Sequence, residues 1–487
     1  MARLPDWGRD DLPAPPPFNV RNMFRMIGPG AILLAASIGG GEWMVGPNIS
    51  VKYGVGILWI ATVGIVLQVM LNLEAIRYTL YTGEPALSGI MRLRPSATFW
   101  ACFYVFATVA QLGIPALAKG SAQVIYTALY GVAAADKEPT LLVITYAVMA
   151  GTILLLMFGG TIERMLEIAS WAMIVYIFLF LIFVNIFYVP AAHSWETFKG
   201  FLSFGYLPRD ATGRIPADID LLLLASLAAT AGSGGIGNLS ISNWIRDKGF
   251  GMGGKVGAIP SVFGGTQVTL SHVGKVFPVT SENLSRWRNW WQYVVADQVW
   301  LWALGCFVGM FLNVNMATAI VPEGTKLANE EVGVFQAQYL AEHYWRALWI
   351  LGLLNGFWIL FSTHLGNTDI MVRTVTDVLW VSHAGSRWFK NLSAGKLYYI
   401  LLFAFSAYGA LIMPLGSAIG LFKVLAAIAG MVLVPAALQM LIINTTMLPP
   451  EIRPAWWRRI GLALCATFYA VVSIVTLADV MKKTLKW

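Results

Sequence analysis

A chain of 487 residues that is 57% hydrophobic and only 12% charged is not a soluble globular domain, in which about a quarter of the residues are charged. Its net charge of +8 does not indicate a nucleic-acid partner, because the Lys and Arg fall in short segments between apolar runs and build no basic stripe with interleaved aromatics. The three cysteines (Cys102, Cys306, Cys465) lie in three different apolar runs without metal-ligand spacing, so they read as small buried hydrophobes.

In chain order, residues 1–24 are polar and Pro-rich (Pro13, Pro15, Pro16, Pro17), which predicts a short extended cytoplasmic tail and no cleavable signal peptide. Eleven apolar spans follow, at 25–51, 55–82, 98–130, 140–158, 165–189, 219–245, 290–315, 346–366, 397–414, 418–444 and 456–480. Uninterrupted runs of about 20 apolar residues suffice for a hydrocarbon core of roughly 30 Å. Twenty Trp suit interfacial belts, with Trp287, Trp290 and Trp291 just ahead of one span. Most Lys and Arg fall inside if the N-terminus is cytoplasmic. The loop 246–288 is basic, with Arg246, Lys248, Lys255, Lys275, Arg286 and Arg288, whereas 316–345 carries Glu323, Glu330, Glu331 and Glu342. Lys482, Lys483 and Lys486 run against this rule at the C-terminus.

Spans 1–5 then start inside and spans 6–10 outside, so residues 25–190 and 219–445 form two five-helix repeats of opposite topology. The outer loop 191–218 joins them, and 446–487 holds an eleventh helix and the C-terminus. The first span of each repeat is interrupted by glycines: Gly39-Gly40-Gly41, followed by Glu42, and Gly232-Ser233-Gly234-Gly235-Ile236-Gly237, followed by Asn238. A helix broken within the bilayer frees backbone groups that only protein or a solvated cavity can satisfy, and paired breaks mark a transporter's binding site. Glu42 costs ~2.5–3.5 kcal/mol to insert at mid-bilayer. It reads either as a cargo ligand or as a cap on the outer half-helix, where the helix dipole returns only ~0.3–1 kcal/mol. Asn238 is likewise a ligand or a local backbone cap. Carboxylate, amide and carbonyl oxygens form a hard donor set suited to Mg²⁺, Ca²⁺ or Mn²⁺, with no Met or His at either break to favour softer metals.

Other polar residues lie inside spans. Glu74 and Arg77 share a helical face of span 2 and are expected to pair, as are Glu163, Arg164 and Glu167. Lys119 in span 3 either pairs with Glu42 or snorkels outward. Asp297 with Gln298 lies in the inner third of span 7, facing an inner vestibule. His364 and Asn367 on span 8 are either a proton relay near Asp369 or a packed pair. Lys423 in span 10 requires a neighbouring carbonyl or carboxylate. No His-Glu-x-x-His, Ser/Lys or paired-Asp arrangement marks an enzyme.

Gly28-Pro29-Gly30, Arg77…Thr82-Gly83, Gly160…Arg164…Glu167, Asn238-Leu239 and Ser362-Thr363…Gly366-Asn367 resemble, in order and spacing, the Nramp (natural resistance-associated macrophage protein) divalent-metal transporters. That resemblance covers nearly the whole chain. It implies an all-α polytopic membrane protein with the LeuT-type 5+5 inverted repeat and, for typical members, proton-coupled import of Mn²⁺ or Fe²⁺. The family's ligand motif Asp-Pro-Gly-Asn falls on Gly39-Gly40-Gly41-Glu42, and its Met-Pro-His falls on Gly235-Ile236-Gly237. Its span-3 acidic pair falls on Gly120 and Gln123, and its span-10 Gln falls on Ala427. Some divergent members that also lack the Met handle Mg²⁺. The expectation is a secondary transporter of a hard divalent cation, with Gly39, Gly40, Gly41, Glu42, Gly234, Gly235 and Asn238 at the cargo and Lys119, Gln123, Glu74, Arg77, Asp297, His364 and Asn367 as coupling or gating groups. The alternatives are a small organic solute walled by Trp43, Trp244 and Trp358, or a transporter-like protein that has lost metal transport. No cofactor is expected, and the setting is a monomer in a bacterial inner membrane.

Overall fold

The computed structural model describes residues 4–135, 138–158, 160–209, 213, 216, 219–261, 270–321, 332–382 and 392–485; Glu323, Glu330, Glu331 and Lys486 lie outside them. The chain is an all-α integral membrane protein. Among the described residues nine helices are long and apolar enough to cross a bilayer: Val55–Thr82, Ala97–Tyr130, Pro139–Leu156, Ile162–Tyr188, Ser281–Ile320, Ala347–Ser382, Ala394–Leu415, Gly420–Thr446 and Trp456–Lys482. These are spans 2–5 and 7–11. Side-chain oxygens of Ser96, Thr161, Thr280, Ser393 and Ser417 accept from first-turn amides, satisfying donors that a helix start leaves open.

Spans 1 and 6 are both interrupted. Span 1 runs as Pro29–Ser37, loses helical geometry at Ile38 and Gly39, and resumes as a π-helical turn Gly40–Val45 leading into Gly46–Tyr53. A bend of 58° lies earlier, between Val20–Met26 and Pro29–Tyr53, because Pro29 cannot continue the upstream helix. Span 6 runs as Leu221–Thr230 and Ile236–Asp247. Between them Gly234 and Gly235 have φ of 70° and 55°, a backbone region that side chains disfavour. Span 3 is also interrupted, at Gly113-Ile114-Pro115 between Ala97–Leu112 and Ala116–Tyr130.

Span 8 continues well past residue 366, to Ser382, since the charges on its inner end are paired within the protein. The segment between spans 5 and 6 carries its own helix, Ala191–Gly200. Cys306 and Cys465 are buried as expected, but Cys102 is exposed on the outside of span 3.

The N-terminal segment is docked across one end of the bundle, against the segments that precede span 7 and follow span 2. Gly8–Arg9 pairs in parallel with Lys275–Val276 in the register Gly8↔Lys275. The Trp7 indole donates to Glu84 at 3.0 Å, and the Trp290 indole donates to the Pro13 carbonyl at 2.8 Å. Inside the bundle, the inner half of span 1 packs on spans 5, 7 and 8, while the outer half of span 6 packs on spans 10 and 11.

Candidate functional site

Every backbone group freed at the two interruptions has to find a partner, because hydrocarbon offers none. At the first break, span 8 supplies it: the Thr363 hydroxyl donates to the Ile38 carbonyl at 3.1 Å, and the Ser362 hydroxyl donates to the Ala35 carbonyl at 2.9 Å. Glu42, fully buried, accepts the Gly39 N–H through Oε2 at 2.9 Å. Its Oε1 is buried without a hydrogen-bond partner. The three glycines are close-approach positions. A Cβ would overlap the Thr363 hydroxyl at Gly39, the Phe422 ring at Gly40 and the Thr230 carbonyl at Gly41. Thr230 ends the outer half of span 6, so the Gly41 contact brings the two interruptions against each other.

Two glutamines close the second break. Gln68 of span 2 accepts the Gly234 N–H at 3.0 Å and donates to the Ala229 carbonyl at 3.1 Å. Gln111 of span 3 donates to the Gly234 carbonyl and accepts the Ile236 N–H, both at 3.1 Å. The Tyr469 hydroxyl of span 11 donates to the Ala228 carbonyl at 2.9 Å. Asn238 Nδ2 donates to the side-chain Oδ1 of Asn72 at 2.9 Å, and its own Oδ1 is buried and unpartnered. Gln68, Gln111, Ser362, Thr363 and Tyr469 did not stand out in the sequence as partners of the breaks. The available signal was an amide in the apolar middle of each of two spans, Gln68 and Gln111.

The remaining polar residues are distributed elsewhere. Lys119 donates to the Gly416 carbonyl at 2.5 Å and Gln123 to the Ala134 carbonyl at 3.1 Å, so neither meets Glu42. Glu74 and Arg77 pair at 2.8 Å, joined by Arg458 at 3.2 Å and the Asn444 amide at 2.9 Å. Glu167 pairs with Lys248, which lies 3.9 Å from Glu163. Arg164 contributes its backbone N–H to Thr161. Lys423 meets Asp220 at 2.9 Å. His364, Asn367 and Thr368 line a cavity of about 30 Å³ beside the span-3 interruption, enough for a water. Trp244 donates to Asp369 at 2.8 Å and so walls no pocket at the breaks. Asp297 is fully buried rather than exposed to a vestibule.

The inner end of span 8 carries the densest charge. Arg373 donates to Asp369 at 2.8 Å and also to Asp247, while Arg246 pairs with Asp247 at 2.7 Å and with Asp377 at 2.9 Å. The Tyr398 hydroxyl of span 9 adds a 2.6 Å bond to Asp369. This network ties the inner half of span 6 to spans 8 and 9. Among the described residues, no three or more His, Cys, Asp or Glu gather into a cluster that could hold a metal ion.

No family model matches the chain, and no curated protein matches it. Solved structures do. The manganese transporter of Eremococcus coleocola, in complex with an aromatic bis-isothiourea compound, superposes with a TM-score of 0.63 at 14% identity, over 97% of this chain and 91% of that one. A single-site mutant of the same transporter gives 0.65 at 13% identity, over 99% and 92%. MhsT in complex with L-phenylalanine gives 0.52 at 11% identity, over 93% and 98%. The fold is the LeuT-type fold. Its likeness to an Nramp-type manganese transporter agrees with the motif resemblance.

Proposed function

We propose that this protein is a secondary transporter of a hard divalent cation of the Mg²⁺ or Mn²⁺ type, bound at mid-membrane between the interruptions of spans 1 and 6. The observation that carries this reading is the pair of buried, unpartnered oxygens, Glu42 Oε1 and Asn238 Oδ1, at two breaks brought together through Gly41 and Thr230. A buried polar atom without a partner costs ~1–3 kcal/mol, a cost that a bound cation removes. One carboxylate and one amide are a thin shell. The ion would therefore keep part of its hydration, as Mg²⁺ does readily, with carbonyls around Gly39, Gly40, Gly41, Gly234 and Gly235 as further donors. The protein acts as a transporter and not as an enzyme, in a bacterial inner membrane, as a monomer with its N-terminus inside.

A small organic solute on the same fold is the second reading. It is favoured by the absence, among the described residues, of any three-ligand acidic, His or Cys cluster. A solute amine would then take the place of the metal at Glu42.

Uptake into proteoliposomes holding a divalent-cation indicator and a pH dye tests both readings, with wild type compared against Glu42→Gln. Saturable Mg²⁺ or Mn²⁺ flux that falls at least tenfold in the variant is the expected result. Folded wild-type protein that passes neither ion overturns the cation reading. Counterflow of amines and amino acids then separates an organic cargo from a protein without transport.

A further inference from the structure

Asp297 sits fully buried in the π-helical stretch Ala296–Ala303 of span 7. Its Oδ1 accepts the N–H of Gly30 at 2.9 Å, and its Oδ2 accepts the Nε2 of Gln298 at 2.8 Å. Gly30 is the second residue of the helix Pro29–Ser37, where backbone donors have no intrahelical acceptor and the helix dipole favours negative charge. A Cβ on Gly30 would lie 2.8 Å from the Asp297 carboxyl carbon, so the absence of a side chain permits this contact.

From Gln298 a line of amides leads to the second break. Asn72 Nδ2 donates to Gln298 Oε1 at 3.0 Å, and Asn238 Nδ2 donates to Asn72 Oδ1 at 2.9 Å. All three amides are buried. Their direction is dictated from one end. An ionised carboxylate can only accept, so Gln298 must offer Nε2 to Asp297 and present Oε1 to Asn72. Asn72 must then offer Nδ2 and present Oδ1 to Asn238, which leaves Asn238 Oδ1 as the free atom at the break. A protonated Asp297 removes that constraint: its O–H donates to Gln298 Oε1, each amide turns over, and Asn238 presents NH₂ in place of an oxygen.

Most of the charges on the elements packed around Asp297 are paired with one another. The helix Pro29–Ser37 contributes none, and the rest of span 7 facing it contributes the thiol of Cys306. Span 2 contributes the Glu74–Arg77 pair, and Ser281–Val295 contributes the Glu282–Arg286 pair together with Arg288. Span 5 and the inner end of span 6 contribute Glu167 with Lys248 and Glu163 beside it, and Arg246 with Asp247. No cation among the described residues makes an ion pair with Asp297.

We propose that Asp297 is a proton-binding site which, through Gln298 and Asn72, switches Asn238 between an oxygen and an NH₂ facing the cargo. This rests on the transporter reading only for the identity of the cargo. Uniformly oriented hydrogen bonds reinforce one another, so a cation on Asn238 Oδ1 favours the ionised carboxylate, and by linkage the ionised carboxylate favours the cation. Proton and cation thus exclude each other, and one proton leaves Asp297 as one cation arrives.

The relay is tested without cargo by infrared difference spectra of the purified full-length protein taken from alkaline to acid pH. The expected result is a protonated carboxyl band rising together with a change in the side-chain amide bands. Both are lost in Asp297→Asn, while Gln298→Leu keeps the carboxyl band and loses the amide change. A carboxyl band with no accompanying amide change, or no band that Asp297→Asn removes, overturns the relay. With Mg²⁺ or Mn²⁺ as the probe, wild-type affinity rises with pH more steeply than that of either variant, by up to about tenfold per unit for the one proton linked through Asp297, while the part due to Glu42 itself remains in both. A wild-type slope retained in Asp297→Asn also overturns it. Infrared signals that behave as expected in a protein that binds neither ion support the relay and count against the cation cargo alone, so the two failures are distinguishable.

Discussion

The ammonium of Lys423 on span 10 lies 2.9 Å from the carboxylate of Asp220, the residue that caps the outer half of span 6 by accepting the Leu223 N–H at 3.0 Å. The ion pair therefore ties an interrupted helix to its neighbour on the side away from the buried Arg373–Asp369 network. Span 6 is thus held at its two ends by charge pairs of different burial, to span 10 at one and to span 8 at the other.

Because the Lys423–Asp220 pair is partly exposed, at 16% and 28% for the two side chains, its contribution is about 1 kcal/mol or less. Lys423→Met is expected to leave thermal stability nearly unchanged. It should raise the rate at which an impermeant thiol reagent outside the membrane modifies Thr230→Cys, in a background with Cys102, Cys306 and Cys465 replaced, by a fewfold. An unchanged rate would remove the pair as an outer closure.

Arg373 and Asp369 behave differently, because both are fully buried. Removing one member leaves an uncompensated charge in the buried network that also holds Asp247 and Tyr398, at a cost of up to ~3–5 kcal/mol. Asp369→Ala and Arg373→Met are each expected to lower the unfolding temperature in detergent by a large margin. The double variant should lose less than the sum, since neither charge is then stranded.

Gln68 and Gln111 hold the second break closed by serving two backbone groups each. Gln68→Met or Gln111→Met preserves volume and orphans those groups, at ~1–3 kcal/mol apiece. The expected readout is faster hydrogen exchange at the Gly234 and Ile236 amides respectively, detected by mass spectrometry of peptides spanning residues 228–240. Exchange that is unaltered in both would show that the break is sealed by other groups.

The docked N-terminal segment has its own pH dependence. Lys275 foremost, at 3.1 Å, and Lys255, at 3.2 Å, hold the Asp10 carboxyl below the usual carboxylate range. A lowered folded-state pKa adds stability that is complete above the unfolded value and vanishes as pH falls through the folded one. Docking is therefore expected to be constant from neutral pH down to about 5 and to loosen below about 4. In Asp10→Asn this acid-induced change is lost. Mobility of a spin label on Ala14→Cys, read in the same cysteine-replaced background, reports the segment directly.

Much of the architecture could be read along the chain because hydrocarbon imposes a one-dimensional rule. Spans 2, 3, 5 and 11, expected at 55–82, 98–130, 165–189 and 456–480, match Val55–Thr82, Ala97–Tyr130, Ile162–Tyr188 and Trp456–Lys482 to within a few residues. The glycine interruptions in spans 1 and 6 were legible for the same reason, and with them the inverted pairing of the two halves. Span 8 was cut short because Asp369, Arg373 and Asp377 look like the end of an apolar run. Their partners Arg246 and Asp247 lie more than a hundred residues away, and only folding shows that the charges cancel.

The candidate site divides in the same way. That Glu42 and Asn238 follow the breaks is a matter of sequence. That Glu42 spends one oxygen on Gly39 and leaves the other free, that Lys119 turns to Gly416 instead, and that Asn238 is joined through Asn72 and Gln298 to Asp297 are decided by tertiary structure. Periodicity and composition report which residues lie in the bilayer. The direction of a hydrogen bond between helices depends on helix rotation and packing, which bring together side chains that no local pattern relates.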